Sequence, residues 1–204
     1  MPPLPVTVPD APVDTVTVHS IPRVEEATAT SIPTAEAKLV PGTEGDTVKV
    51  LQMLPGVARP SFGTGQLVVW GAAPEDTRVF VDGVEVPALY HLGGLRSILP
   101  SDLVRDVTLV PGAYGADYGR ALGGIARVDT RALPSEGTHG FVAADTLDGS
   151  AMVSAAPSER VRIALAGRVG WLDRVMSAVS APDVGDFYPI PRYGDWQAVS
   201  QIAL

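Results

Sequence analysis

The sequence predicts an α+β domain, a small mixed β-sheet with short helices, followed by longer antiparallel strands of a different character. Three stretches carry that expectation. Thr77-Arg-Val-Phe-Val81, Asp82-Gly83 and Val84-Glu-Val-Pro87 read as strand, tight turn and returning arm, the pattern of a two-residue hairpin. Val107-Thr-Leu-Val110 and Gly124-Ile-Ala-Arg-Val-Asp-Thr130 are strand-like runs flanking a segment with Gly112, Gly115, Gly119, Gly123 and Gly124. That segment also holds Tyr114 and Tyr118, so it is expected to be tight and packed rather than a flexible linker. From Arg160 to Trp171 the residues alternate: Val161, Ile163, Leu165, Val169 and Trp171 on one face, Arg160, Arg162, Ala164, Ala166 and Arg168 on the other.

Composition narrows the class. With 204 residues and 46% hydrophobic content, the chain has enough apolar surface for a core. Its net charge of −8 opposes nucleic-acid binding, which needs a basic stripe to neutralise phosphates. The absence of cysteine rules out disulfides and thiolate metal sites. No apolar run approaches the ~20 residues of a membrane helix, and Met1-Pro-Pro-Leu-Pro-Val lacks the basic and apolar regions of an export signal.

Taken in order, residues 1–41 are expected to be extended and largely disordered, because prolines at positions 2, 3, 5, 9, 12, 22, 33 and 41 forbid a long helix. Within them Val13-Asp-Thr-Val-Thr-Val18 is β-branched and alternating, suited to adding itself to a sheet edge. A helix is expected over Thr47–Leu54, capped by Asp46 or Thr43, with Val50, Leu51 and Leu54 on one face and Pro55-Gly56 ending it. Val57 to Gly65 reads as loop; Gly63 and Gly65 lack the Lys-Ser/Thr of a phosphate-cradling turn. Gln66–Trp70 is a short strand. Tyr90-His-Leu-Gly-Gly94 is a loop in which Tyr90 and His91 are candidates for facing a substrate. Pro100–Val104 starts a short helix with Ser101 or Asp102 near its cap. Thr138–Ala155 is a less regular strand, Pro182–Tyr193 a polar loop, and Asp195–Leu204 a further strand.

The ordered set of parts is more specific than any one of them. Gly45-Asp46…Leu51…Leu54-Pro-Gly-Val57 precedes a strand and glycine at Val68–Gly71, a strand ending in Asp82-Gly83-Val84, and a short helix after Pro100. A further strand and Tyr118-Gly119…Gly123-Gly124-Ile…Val128-x-Thr130 complete the series. This resembles the plug domain of TonB-dependent outer-membrane receptors over residues 42–131. The resemblance departs at Trp70, where arginine is common, at Pro111-Gly112, where a basic residue is usual, and at Ala126-Arg127, where an asparagine is often seen.

The resemblance implies a plug lodged in a β-barrel on the periplasmic side of the cell outer membrane, closing it until an inner-membrane energy transducer of the TonB type pulls. It implies uptake of a small, scarce nutrient ligand. Asp14, Thr15, Val16, Thr17 and Val18 are similar to the transducer-binding segment (the TonB box) of such receptors. Asp82, Gly83, Gly112, Tyr118, Gly119, Gly123 and Gly124 are the plug's structural motif. Residues 137–204 are then the first antiparallel strands of an incomplete transmembrane β-barrel, whose ~9–11-residue strands face lipid with their apolar side. On this reading the chain is a fragment, with an export signal missing before it and most of a barrel missing after it. The alternative is a plug-like binding, signalling or adhesion module of the cell surface without transport.

No enzyme is expected. His19, His91 and His139 lie far apart without metal-ligand spacing, and neither a Gly-x-Ser-x-Gly elbow nor a cysteine nucleophile is present. Asp145 with Asp148, and Asp102 with Asp106, are neighbouring carboxylates best explained as solvated loop and cap residues. No catalytic residue, metal or cofactor is assigned.

Overall fold

The structure, a computed structural model, describes residues 28–58, 65–91, 94–179 and 192–202. Among these the chain builds two sheets of different character plus a small two-stranded pairing. The first sheet has five strands in the order β1-β6-β7-β4-β5: Thr30–Pro33, Val104–Val110, Gly124–Thr130, Thr77–Val81 and Val84–Val86. It is mixed, since β4 runs parallel to β7 while the other pairs are antiparallel. The two-stranded piece pairs β2 (Val57–Ala58) with β3 (Val68–Val69).

The hairpin between β4 and β5 forms as expected. Asp82 and Gly83 have φ of 47° and 79°, the two positive values a type I′ turn demands. Asp82 adds a tie across the sheet: its carboxylate accepts from the Thr130 amide at 2.8 Å and the Thr130 hydroxyl at 2.7 Å.

One face of this sheet buries Val79, Val107, Leu109, Ala126 and Val128 against Val48, Val50 and Leu51. The last three come from Thr47–Met53, which is a 3-10 helix and not the expected α-helix. Asp46 caps it, its carboxylate accepting from the Val48 amide at 3.0 Å. Ser101–Leu103 is likewise a 3-10 turn, but neither Ser101 nor Asp102 caps it; the cap residue is Pro100. The Ser101 hydroxyl instead joins two segments, accepting from the Thr47 amide and donating to the Gly45 carbonyl, both at 2.9 Å.

Order also starts earlier than expected. Residues 30–37, assigned by composition to an extended tail, form β1 and the short helix α1 (Thr34–Ala37). β1 lies at a sheet edge, where Pro33 is tolerated because no ladder donor is needed on its open side. The Thr34 hydroxyl anchors α1 by donating to the buried Val104 carbonyl at 2.7 Å.

The glycine-rich segment joins β6 to β7 and is tight only at its end. A Cβ on Gly123 would lie 2.6 Å from the Ala72 Cβ, whereas Gly112, Gly115 and Gly119 border open space. The expectation that all five glycines permit close packing therefore holds only for this end. The tyrosines are anchors: Tyr118 meets Phe80 edge-on at 5.1 Å and lies under Arg127, and the Tyr114 hydroxyl donates to the Ala121 carbonyl.

The second sheet has four antiparallel strands in the order β11-β10-β9-β8: Gly194–Ile202, Val161–Gly170, Asp148–Ser158 and Thr138–Ala144. The single irregular strand expected over 138–155 is in fact two, turned at Asp145–Leu147. There the Asp145 carboxylate accepts from the Leu147 and Asp148 amides. A helix not foreseen, α2 (Leu172–Val179), follows β10. Most of the polar loop expected after it lies outside the described residues.

Candidate functional site

The four-stranded sheet turns its sides the opposite way from a soluble protein. Val142, Val153, Ile163, Leu165, Val169, Trp196 and Ile202 are exposed, with Leu165 60% and Trp196 83% accessible. On the other side Asp148, Ser154, Arg168 and Asp195 are buried, Arg168 at 5%. Alternation explains this directly, because successive residues of a strand point to opposite faces. The apolar set faces out and the polar set faces the α+β domain.

The two bodies meet along a seam of charge-assisted hydrogen bonds. From the α+β domain, Arg96 donates through Nε to Asp148 Oδ2 at 2.7 Å, through Nη1 to the Glu44 carbonyl at 3.0 Å, and through Nη2 to Asp145. From the sheet, Arg168 donates twice to Asp195 Oδ2, at 2.9 and 2.7 Å, and once to the Ser97 carbonyl. His91 Nε2 lies 2.6 Å from Asp195 Oδ1 and donates there, since a carboxylate only accepts. The Tyr193 ring stacks on His91 at 4.9 Å, and its hydroxyl donates to Asp148 Oδ2 at 2.7 Å. Lower on the seam, Gln197 donates to the Ile98 carbonyl at 2.7 Å and Gln201 accepts from the Leu133 amide at 2.8 Å.

The α+β side is braced from behind. Asp46, besides capping its helix, accepts from the Ser97 amide at 2.7 Å and the Ser97 hydroxyl at 2.8 Å. Glu44 supplies a carbonyl to Arg96 and a carboxylate to Lys49 Nζ at 3.0 Å.

Electrostatics follow from this packing. Burial works against the charge of Arg96, but Asp148 and Asp145 outweigh it and hold the guanidinium above its ordinary value. Burial also disfavours the Asp145 carboxylate, yet the Leu147 and Asp148 amides and Arg96 together hold it below the usual carboxylate range. Burial, then the bond to Asp148, push the Tyr193 phenol up, so it stays a donor. At the other end of the domain, burial and Asp106 raise Asp129.

Several expectations are placed by this geometry. Tyr90, expected to face a substrate, is buried in the core, with its hydroxyl donating to the Val48 carbonyl at 2.7 Å. His91 sits in the seam and is partly accessible. Asp148 is no solvated loop residue but a buried ion-pair partner, and Asp145 shares its arginine. Asp102 and Asp106 pair with Lys38 and Arg105 rather than with each other. Asp14–Val18 lie outside the described residues, as does His19. Among the described residues no group of three or more His, Asp or Glu gathers to hold a metal ion. Sequence reasoning missed Arg96, Arg168, Tyr193 and Asp195 as seam residues; a charged residue on the inward face of an otherwise apolar strand was the available signal.

Comparison with known proteins accords with this architecture. A search of curated proteins finds no match. Among solved structures the chain is similar to the siderophore receptor PirA from Acinetobacter baumannii, at 19% identity and a TM-score of 0.51, over 71% of this chain and 24% of that one. It is also similar to a mutant of the ferric enterobactin receptor PfeA from Pseudomonas aeruginosa, at 19% identity and a TM-score of 0.50, over 83% of this chain and 29% of that one. At this identity the likeness speaks for the fold alone, and the chain spans less than a third of either receptor's length. The sequence model of the TonB-dependent receptor plug domain matches residues 14–125, more than half of the chain. The chain belongs to the TonB-dependent receptor plug domain family.

Proposed function

We propose that this chain is the amino-terminal part of an outer-membrane receptor that takes up a scarce small nutrient, a transporter and not an enzyme. In this reading β1–β7 are the gate and β8–β11 the first strands of the wall. The single observation that carries it is the sidedness of the second sheet: apolar residues out, ion-paired residues in toward the domain. In water that arrangement leaves a broad apolar face uncovered; in a bilayer it is the stable one. Strand length agrees, since β10 has ten residues, within the ~9–11 of a tilted membrane strand.

Connections support an orientation. β9 and β10 are joined by Glu159-Arg160 alone, whereas β10 and β11 are separated by residues 171–193. Membrane barrels keep short turns on the periplasmic side and long loops outside. On that rule the end carrying the 171–193 connection, where Arg96 meets Asp148, faces the exterior, with Asp145–Leu147 as a short loop beside it.

Opening follows from where the chain is loaded. A TonB-type transducer that adds Asp14–Val18 to its own sheet edge would pull on β1 first, four residues at a sheet edge. Beyond α1 the next covalent segment carries Glu44 and Asp46, the two residues that brace Arg96 and Ser97. Drawing that segment away removes the backing of the seam while β6 and β7 can stay paired with each other, β6 having lost only its β1 neighbour.

The test is energised uptake by cells carrying the intact receptor, with and without the transducer. Uptake that requires the transducer supports the proposal, and accumulation indifferent to it refutes the energy-coupled reading.

A further inference from the structure

The seam contains two ion-pair groups that do not share a charged residue. One is Arg96 with Asp148 and Asp145; the other is Arg168 with Asp195 and His91. Tyr193 touches both. Its hydroxyl donates to the same Asp148 oxygen that accepts from Arg96 Nε. Its ring stacks on His91 with an interplanar angle of 19°, and the Arg168 guanidinium lies 5.9 Å from its centroid. A neighbouring contact fixes the ring from the wall side: a Cβ on Gly170 would lie 2.8 Å from the Tyr193 Cε1 atom, so β10 offers bare backbone there.

We propose that Tyr193 is a positioning residue that fuses the two groups into one cooperative latch between the plug and the wall. This rests on the reading of β8–β11 as the wall of a barrel. The physical basis is that hydrogen bonds and ion pairs in a buried chain polarise and orient one another, so removal of one weakens the rest. With the hydroxyl on Asp148 and the ring on His91, loss of Arg96 loosens Tyr193 and thereby the hold of His91 on Asp195. Without the hydroxyl the ring can keep its stack, and the two groups are then joined only through backbone, where the His91 amide donates to the Arg96 carbonyl at 2.9 Å and Arg168 reaches the Ser97 carbonyl. Tyr193 is also the last residue of the long connection after β10.

A double-mutant cycle tests this in the intact receptor reconstituted in phospholipid vesicles. The variants are Arg96→Gln, Asp195→Asn and both together, each with Tyr193 and with Tyr193→Phe, and the readout is amide exchange at Ser97 and Ile98. Arg96 and Asp195 have no direct bond, so independent groups would give multiplicative effects. With Tyr193 present, the double variant should exchange at least about threefold more slowly than the product of the single effects. In the Tyr193→Phe background that discrepancy should fall to the part the backbone links carry. Multiplicative effects with Tyr193 present, or a discrepancy unchanged by Tyr193→Phe, overturn the proposal. Exchange at Ser97 and Ile98 that is unprotected before any substitution would overturn the latch, whereas a Trp196 untouched by bromine on the lipid acyl chains would sink the wall reading itself.

Discussion

Replacing Arg96 with leucine isolates one buried tie of the seam. Arg96 and Asp148 have side chains 5% and 7% exposed and meet at 2.7 Å, so the substitution strands a buried carboxylate. Breaking one side of a buried pair costs about 3–5 kcal/mol. The lower end applies, because Asp148 keeps the Tyr193 hydroxyl as a donor. The Asp145 contact adds little, since that carboxylate is 46% exposed and exposed pairs contribute about 0–1 kcal/mol. The expected loss of about 3 kcal/mol corresponds to roughly a hundredfold faster exchange of the Ser97 amide. Hydrogen exchange on the intact receptor in vesicles reads it directly. Arg96→Leu combined with Asp148→Leu should restore most of the protection, because an apolar pair leaves no stranded charge. Unchanged exchange in Arg96→Leu, or a double variant as loose as the single one, refutes the claim that this pair closes the seam.

Three further outcomes are expected. Val16→Pro should abolish transducer binding in a pull-down while the plug's thermal unfolding stays unchanged, because proline deletes a ladder donor; normal binding would point to a different docking segment. Acidification should loosen the β8–β9 turn at Asp145: against the effect of burial, its carboxylate is held down in the folded state by the Leu147 and Asp148 amides and then Arg96, so its contribution is present above the ordinary carboxylate range and lost as pH falls through the folded value. Exchange at the Leu147 and Asp148 amides should rise with acid, and Asp145→Asn should flatten part of that rise; Asp129, raised in the fold, acts in the opposite sense. Leu165→Arg, on the outward face of β10, should impair insertion by about 2–4 kcal/mol near the bilayer midplane, measured as folded receptor in vesicles, whereas an unaffected yield would contradict lipid contact there.

Local chemistry was legible in the sequence. Asp82-Gly83 fixed the β4–β5 hairpin because two positive φ values have few suitable residues. The period of two in Val161–Val169 separates the outward residues from the inward ones. What escaped was of two kinds. β1 hid in a proline-rich stretch because an edge strand needs neither strong β propensity nor every amide. The β8–β9 turn hid because it is closed by the Asp145 side chain and not by a glycine pair. The seam escaped for another reason: Arg96 finds Asp148 across the chain, and His91 finds Asp195 from further still. Partners of that kind leave no spacing to read, since the fold alone brings them together.

The central claim is that the second sheet faces hydrocarbon while the first does not, and its tryptophans report on both. Trp196 stands 83% exposed on the outward face and Trp70 65% exposed on the plug. In vesicles of lipids brominated along the acyl chain, a receptor retaining only Trp196 should be strongly quenched, and one retaining only Trp70 should not. Equal quenching of the two, or a Trp196 quenched by aqueous iodide and untouched by bromine, would contradict the account.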